Sequence, residues 1–165
     1  MTSYKVTDIR QCMNELLVKD TFDFFLLQEA TVKTFAVFNI DGHRVDEFYS
    51  PEESETIEAE DFLVAYENLR SHIYDVIKGK KTPVGFQIIL SLPKRIIRQI
   101  IESEELNFDA DSVSLVIIFR YVSGELTITT GISFREFIMD KSLESAFDKW
   151  VYTFLNATGI NVEII

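Results

Sequence analysis

The sequence is short of the features that announce a function. Cys12 is the only cysteine among 165 residues, and there are two histidines, three prolines and six glycines. A lone cysteine forms no intramolecular disulfide, so nothing points to an oxidising compartment. Long hydrophobic runs are missing as well. Stretches such as Val116-Ile117-Ile118-Phe119 fall far short of the ~20 residues that span a bilayer. Met1-Thr-Ser-Tyr-Lys5 has neither the charged start nor the apolar core of a signal peptide. The chain is therefore expected to be cytoplasmic, with no membrane contact. Asn156-Ala-Thr158 matches a glycosylation sequon, which carries no weight without secretion. Positive charge is also scarce: 16 Lys and Arg face 27 Asp and Glu, a net charge of −11.

What is present describes a globular domain. Hydrophobic residues make up 47% and charged residues 26%, near the average for folded chains. At this length roughly 70% of the unfolded surface is buried on folding. That suffices for a core without metal or disulfide. One domain over 1–165 is expected, without a linker or low-complexity segment. Fourteen Phe outnumber six Tyr and one Trp, which points to core filling more than to ligand stacking.

Periodicity then places the elements. A short strand (Ser3–Val6) precedes a helix capped at Thr7 or Asp8, with Ile9, Met13, Leu16 and Leu17 in one stripe and Cys12 bordering it. Phe24–Ala30 reads as a strand. Alternation through Val32, Thr34, Ala36, Phe38 and Ile40, followed by Asp41-Gly42, predicts a hairpin over Thr31–Asp46 turning at that dipeptide. Ser50–Glu60 reads as an acidic loop. Phe62, Tyr66, Leu69, Ile73, Val76 and Ile77 mark a second helix ending at Gly79. Val84–Leu92 is a strand, and Pro93 opens a third helix with Ile96, Ile97, Ile100 and Ile101 inward. Val113–Tyr121, Leu126–Thr130 and Ile132–Met139 form a meander turning at Ser123-Gly124. A helix from about Lys141, ended by Gly159, and an edge strand over Asn161–Ile165 complete the α+β pattern.

This order echoes itself: strand, helix, three strands and helix occur over 1–79 and again over 84–160. The duplicated β-α-β-β-β unit resembles one domain of the DNA sliding clamps. The resemblance implies antiparallel sheet with helices packed against it; another two-layer α+β arrangement is the alternative. Residue by residue, Lys5-Val-Thr-Asp-Ile-Arg10, Met13-Asn-Glu-Leu-Leu-Val-Lys-Asp-Thr-Phe-Asp23, Phe38-Asn-Ile-Asp-Gly42 and Gly124-Glu-Leu-Thr-Ile-Thr-Thr-Gly131 resemble an uncharacterised bacterial domain family. It has no assigned activity, and implies only a complete single-domain protein.

Chemistry-bearing motifs are lacking. Asp109-Ala-Asp111 begins like a calcium loop, but Val113 and Leu115 stand where oxygen ligands belong. Cys12, His43 and His72 have no zinc spacing. His43 is expected solvated at the hairpin tip and His72 beside its helix's apolar stripe. Gly79-Lys80-Lys81-Thr82 follows a helix and opens a strand, the reverse of a phosphate loop. No nucleophile elbow is present. Catalytic residues, metal sites and cofactors are therefore not expected.

Charge is the informative feature. Val45–Leu69 contains nine Asp and Glu with no Lys or Arg, whereas Val76–Ile101 contains six Lys and Arg with no acid. That +6 block leaves −17 on the other 139 residues. Lys78, Lys80, Lys81, Lys94, Arg95 and Arg98 are the candidate anion- or partner-binding residues, with Lys94, Arg95 and Arg98 expected in one exposed patch. The alternative for the block is a solvated helix face and connector. The expected function is a non-catalytic binding module that contacts a protein or self-associates through complementary charge, with no tight nucleic-acid binding. The alternative is a small enzyme or ligand-binding protein whose site is assembled from scattered polar residues.

Overall fold

Residues 1–56 and 62–165 are described by the structure, a computed structural model. Strands β1 (Ser3–Val6), β2 (Leu26–Lys33), β3 (Val37–Asp41), β4 (Val64–Ala65), β5 (Gly85–Ser91), β6 (Val113–Val122), β7 (Glu125–Phe134) and β8 (Val162–Ile164) form one sheet. Its order is β3-β2-β5-β6-β7-β1-β8, with β4 pairing on β2, and every pairing is antiparallel. The period-two alternation decides which face is covered. Val32, Ala30, Phe86, Ile88, Leu90, Leu115, Ile117, Phe119, Leu126, Ile128 and Tyr4 are buried. Their neighbours Lys33, Glu29, Gln87, Arg120 and Lys5 are exposed. Helices therefore cover one face of the sheet, and among the described residues no helix covers the other.

The covering helices are α1 (Ile9–Met13), α3 (Tyr66–Ile77), α4 (Lys94–Ser103) and α5 (Ser142–Ala157), whose apolar stripes join the sheet in one core. Asp8 caps α1 by accepting from the Gln11 amide at 3.1 Å. Asn14–Val18 then continues α1 as a π-helical turn. Its carbonyls find side-chain donors on α3. The buried Tyr66 hydroxyl donates to Leu16 at 2.9 Å and Arg70 to Val18 at 2.8 Å, satisfying groups a widened turn leaves open. Arg70 also forks onto Asp23 at 2.8 and 3.1 Å. Phe22, Phe24, Phe25, Trp150 and Phe154 pack ring on ring between the segment before β2 and α5.

The α+β class and most elements match the sequence expectation, and four local features differ. The β2–β3 turn lies at Thr34–Ala36, where the Thr34 amide bonds the Ala36 carbonyl at 2.9 Å, and not at Asp41-Gly42. Gly42 meets a different demand. Its amide bonds the Gln28 carbonyl, and an added Cβ would lie 1.7 Å from the Leu27 carbonyl oxygen. The primed-type turn falls instead at Ser123-Gly124, with φ of +53° and +81°.

Pro51–Thr56 forms a short exposed helix, α2, inside the expected loop. Ser50 and Glu53 make a reciprocal capping box at 3.1 and 3.3 Å, with Pro51 in the first turn. The acidic residues 58, 60 and 61 lie outside the described residues. Phe62 precedes β4, so α3 starts only at Tyr66. In the second half, β7 is one ten-residue strand, and 135–139 adds no further strand.

Among the described residues one buried side-chain polar atom is unsatisfied: the Thr34 hydroxyl has no hydrogen-bond partner there. Replacing it with the near-isosteric Val removes that penalty. Thr34→Val should stabilise the fold by about 1 kcal/mol, read from denaturant unfolding. A destabilised variant would mean that the hydroxyl is paired in solution.

Candidate functional site

Strand β5 divides the basic block. Lys78, Lys80 and Lys81 precede its first residue, and Lys94, Arg95 and Arg98 follow its last. Six residue steps of about 3.3 Å put roughly 20 Å between the two groups. The six cations therefore stand at two ends of the sheet.

At the α4 end, two of the three cations are engaged within the chain. Lys94 donates to the Val113 carbonyl at 2.5 Å, and Arg98 pairs with Asp111 at 3.1 Å. Arg95 is exposed. The exposed acids Asp46, Glu47, Glu52, Glu53 and Glu55 belong to segments that follow β3 toward this same end. Two adjoining hollows here share Phe62, Lys94 and Ser114; one, of about 310 Å³, also holds His43. His43 is not at a hairpin tip. It bridges Leu63, and its ring nitrogen lies 2.5 Å from Asp41. The His43 amide and ring hold the Asp41 carboxyl below the ordinary carboxylate range.

The opposite end is different. Lys33 closes β2 and pairs across to Gly85, which pairs to Val122, while Arg120 pairs with Gln87 one row in. The Val84 amide bonds the Lys33 carbonyl at 2.9 Å. Lys81 and Lys80 stand three and four residues before Val84, within about 11 and 14 Å along the chain. Among the described residues Lys33, Lys80, Lys81 and Arg120 form no ion pair, whereas Lys78 pairs with Asp75 at 3.0 Å. Apolar side chains project beside them: Phe35 is 94% exposed and Val84 71%, with Val37 and Val122 also exposed. This end combines cations with uncovered apolar surface.

Lys33 and Arg120 fall outside the basic block, and only strand register brings them to Lys80 and Lys81. A single sequence carries no signal for that. The alternation does set both out of phase with the buried residues of their strands, which places them on the uncovered face.

The remaining candidates lie elsewhere in the fold. His72 is exposed on α3. Cys12 is fully buried, and burial first, then Glu15 and Asp8, pushes its thiol up to about 12, far from a nucleophile's range. Glu15 is 4% exposed and accepts from Lys19 at 2.8 Å, Gln11 at 3.1 Å and Thr21. Lys19 foremost, then Thr21, holds its carboxyl below the usual range against the cost of burial. A hollow of about 570 Å³ runs between α1 and α3 past Arg10, Asn14 and Tyr74. Its Asp8 and Gln11 are occupied by the helix cap and Glu15. Among the described residues no group of three or more His, Cys, Asp and Glu could hold a metal ion. None of the described helices is long and apolar enough to cross a membrane.

Compared with known proteins, residues 15–163 match the model of one family, described as a family of unknown function (DUF5721). No curated protein and no solved structure matches the chain, so the likeness to a sliding-clamp domain finds no support there.

Two tests address the buried groups. Cys12 should resist an aromatic disulfide reagent in the native state and react fully in denaturant; rapid native labelling would contradict its burial. Glu15 has a lowered folded-state pKa, so its contribution is present above its unfolded value of about 4.3 and lost as pH falls through the folded one. Glu15→Gln should cost about 2 kcal/mol near neutral pH, with the gap to the parent closing in acid. A gap constant with pH would show that the ionised form is not the stabilising one.

Proposed function

The chain belongs to this family of unknown function, and we propose that it is a non-catalytic binding module that engages an acidic protein segment through the cationic end of its sheet. One observation carries this: Lys33, Lys80, Lys81 and Arg120 gather at that end without ion-pair partners among the described residues. Cations that no described acid pairs, in a chain of net charge −11, are placed against the prevailing charge, and a partner supplies the counter-charge. Phe35, Val84 and Val122 beside them supply the apolar contact that protein interfaces bury at their centre, with charge on the rim.

A protein segment fits better than nucleic acid. With those four cations set aside the chain carries −15, a field that opposes a long polyanion at distance but not a short acidic stretch. The single buried thiol suits a reducing, cytoplasmic setting.

The experiment is a titration of isotope-labelled protein with an oligoglutamate peptide, followed by NMR. Shifts should concentrate at Lys33, Gly85, Arg120 and Val122 and weaken with added salt. Lys33→Glu with Arg120→Glu should reduce affinity by about tenfold or more. Shifts centred on α4, or binding indifferent to the double variant, would overturn the assignment. Light scattering across the same salt range would expose a second copy of the chain as the partner.

A further inference from the structure

This inference rests on the binding role just proposed and concerns one group on the partner. Strand register sets two rows on the uncovered face at the cationic end. Lys33, Gly85 and Val122 stand side by side on β2, β5 and β6, and Thr31, Gln87 and Arg120 form the next row. Gly85 has no side chain, so the first row dips between Lys33 and Val122. The dip is floored by backbone: a Cβ built on Gly85 would come within 2.9 Å of the Tyr121 carbonyl oxygen.

The resulting hollow, about 370 Å³, is lined by these residues with Val84, Phe86 and Tyr121, and no carboxylate lines it. Lys33 and Arg120 flank it across two strand spacings and one row, about 12 Å between α-carbons. Two long side chains can close that distance from opposite sides. Neither forms an ion pair among the described residues, and the Gln87 side-chain amide between them has no hydrogen-bond partner there. The Thr31 hydroxyl is already donated to Asn39 at 3.0 Å.

We propose that this hollow receives the phosphate of a phosphorylated side chain on the acidic partner. Two cations and a neutral donor around one depression match a compact dianion. A carboxylate would neutralise only one of the two, whereas a phosphate monoester carries nearly two charges near pH 7. The Arg120 guanidinium offers paired donors to two phosphate oxygens, and Lys33 provides a point charge from the other side.

The test compares an acidic peptide carrying one phosphoserine with the same peptide carrying serine, by calorimetry, with inorganic phosphate as competitor. The phosphopeptide should bind about tenfold tighter or more, and inorganic phosphate should erode that gain. Lys33→Met and Arg120→Gln should each remove most of it while leaving the fold unchanged, since both side chains are exposed and form no ion pair among the described residues. Lowering the pH through about 6, where the phosphate gains its second proton, should shrink the gain. Equal binding of the two peptides at this end would overturn the phosphate hollow and leave the binding module standing. Binding of neither peptide at this end would remove both. A phosphate preference that survives Lys33→Met and Arg120→Gln would place the site elsewhere.

Discussion

Helices α1, α3, α4 and α5 all pack against the same face of the sheet, and the rest of the molecule follows from that one-sidedness. Burial of apolar area is the main favourable term in folding. Here it is concentrated on alternate residues of each strand, from Val32 and Ile88 to Phe119 and Ile128. Each strand therefore has a second face that the helices leave uncovered. Residues on that face answer to water and to whatever binds, so Lys33, Gln87 and Arg120 can stand there without disturbing the core.

The same constraint explains why the helical layer needs polar anchors. A π-helical turn gives up the regular hydrogen-bond ladder, and its carbonyls would be orphaned beneath α3. Tyr66 and Arg70 satisfy Leu16 and Val18, while Asp23 holds the Arg70 fork in place. At the other side of the layer, Asp148 ties α5 to the sheet through Thr130 and Thr2. Apolar packing supplies the energy, and these few bonds fix where each helix sits.

Much of this was legible in the sequence, where local physics and tertiary context agree. Asp8 as a cap, the Ile96–Ile101 stripe of α4, the strand alternation from Val113 and the stop at Gly159 each need only nearby residues to explain them. Asp41-Gly42 misled because the dipeptide suits a turn, whereas the glycine is required by a chain crossing 15 residues away in sequence. The capping box at Ser50 and Glu53 was readable but short, and its all-exposed helix has no apolar stripe to announce it. The cationic end was not readable at all. Lys33, Lys81 and Arg120 are far apart in sequence, and antiparallel register makes them neighbours. Conversely, Lys94 and Arg98 looked like part of a patch until Val113 and Asp111 came across from the start of β6.

Gly42 has a meaning for the chain's history. Its α-carbon passes so close to the Leu27 backbone that any side chain, even alanine's methyl, would overlap a carbonyl oxygen. No rotamer and no repacking of neighbours relieves a clash with main chain, so drift in sequence cannot be accommodated at this one point while the crossing survives. Lineages that keep this architecture are bound to keep that glycine, however far their surfaces and cores diverge. It is a fixed mark by which a remote descendant of the same ancestor could be placed in register with this chain.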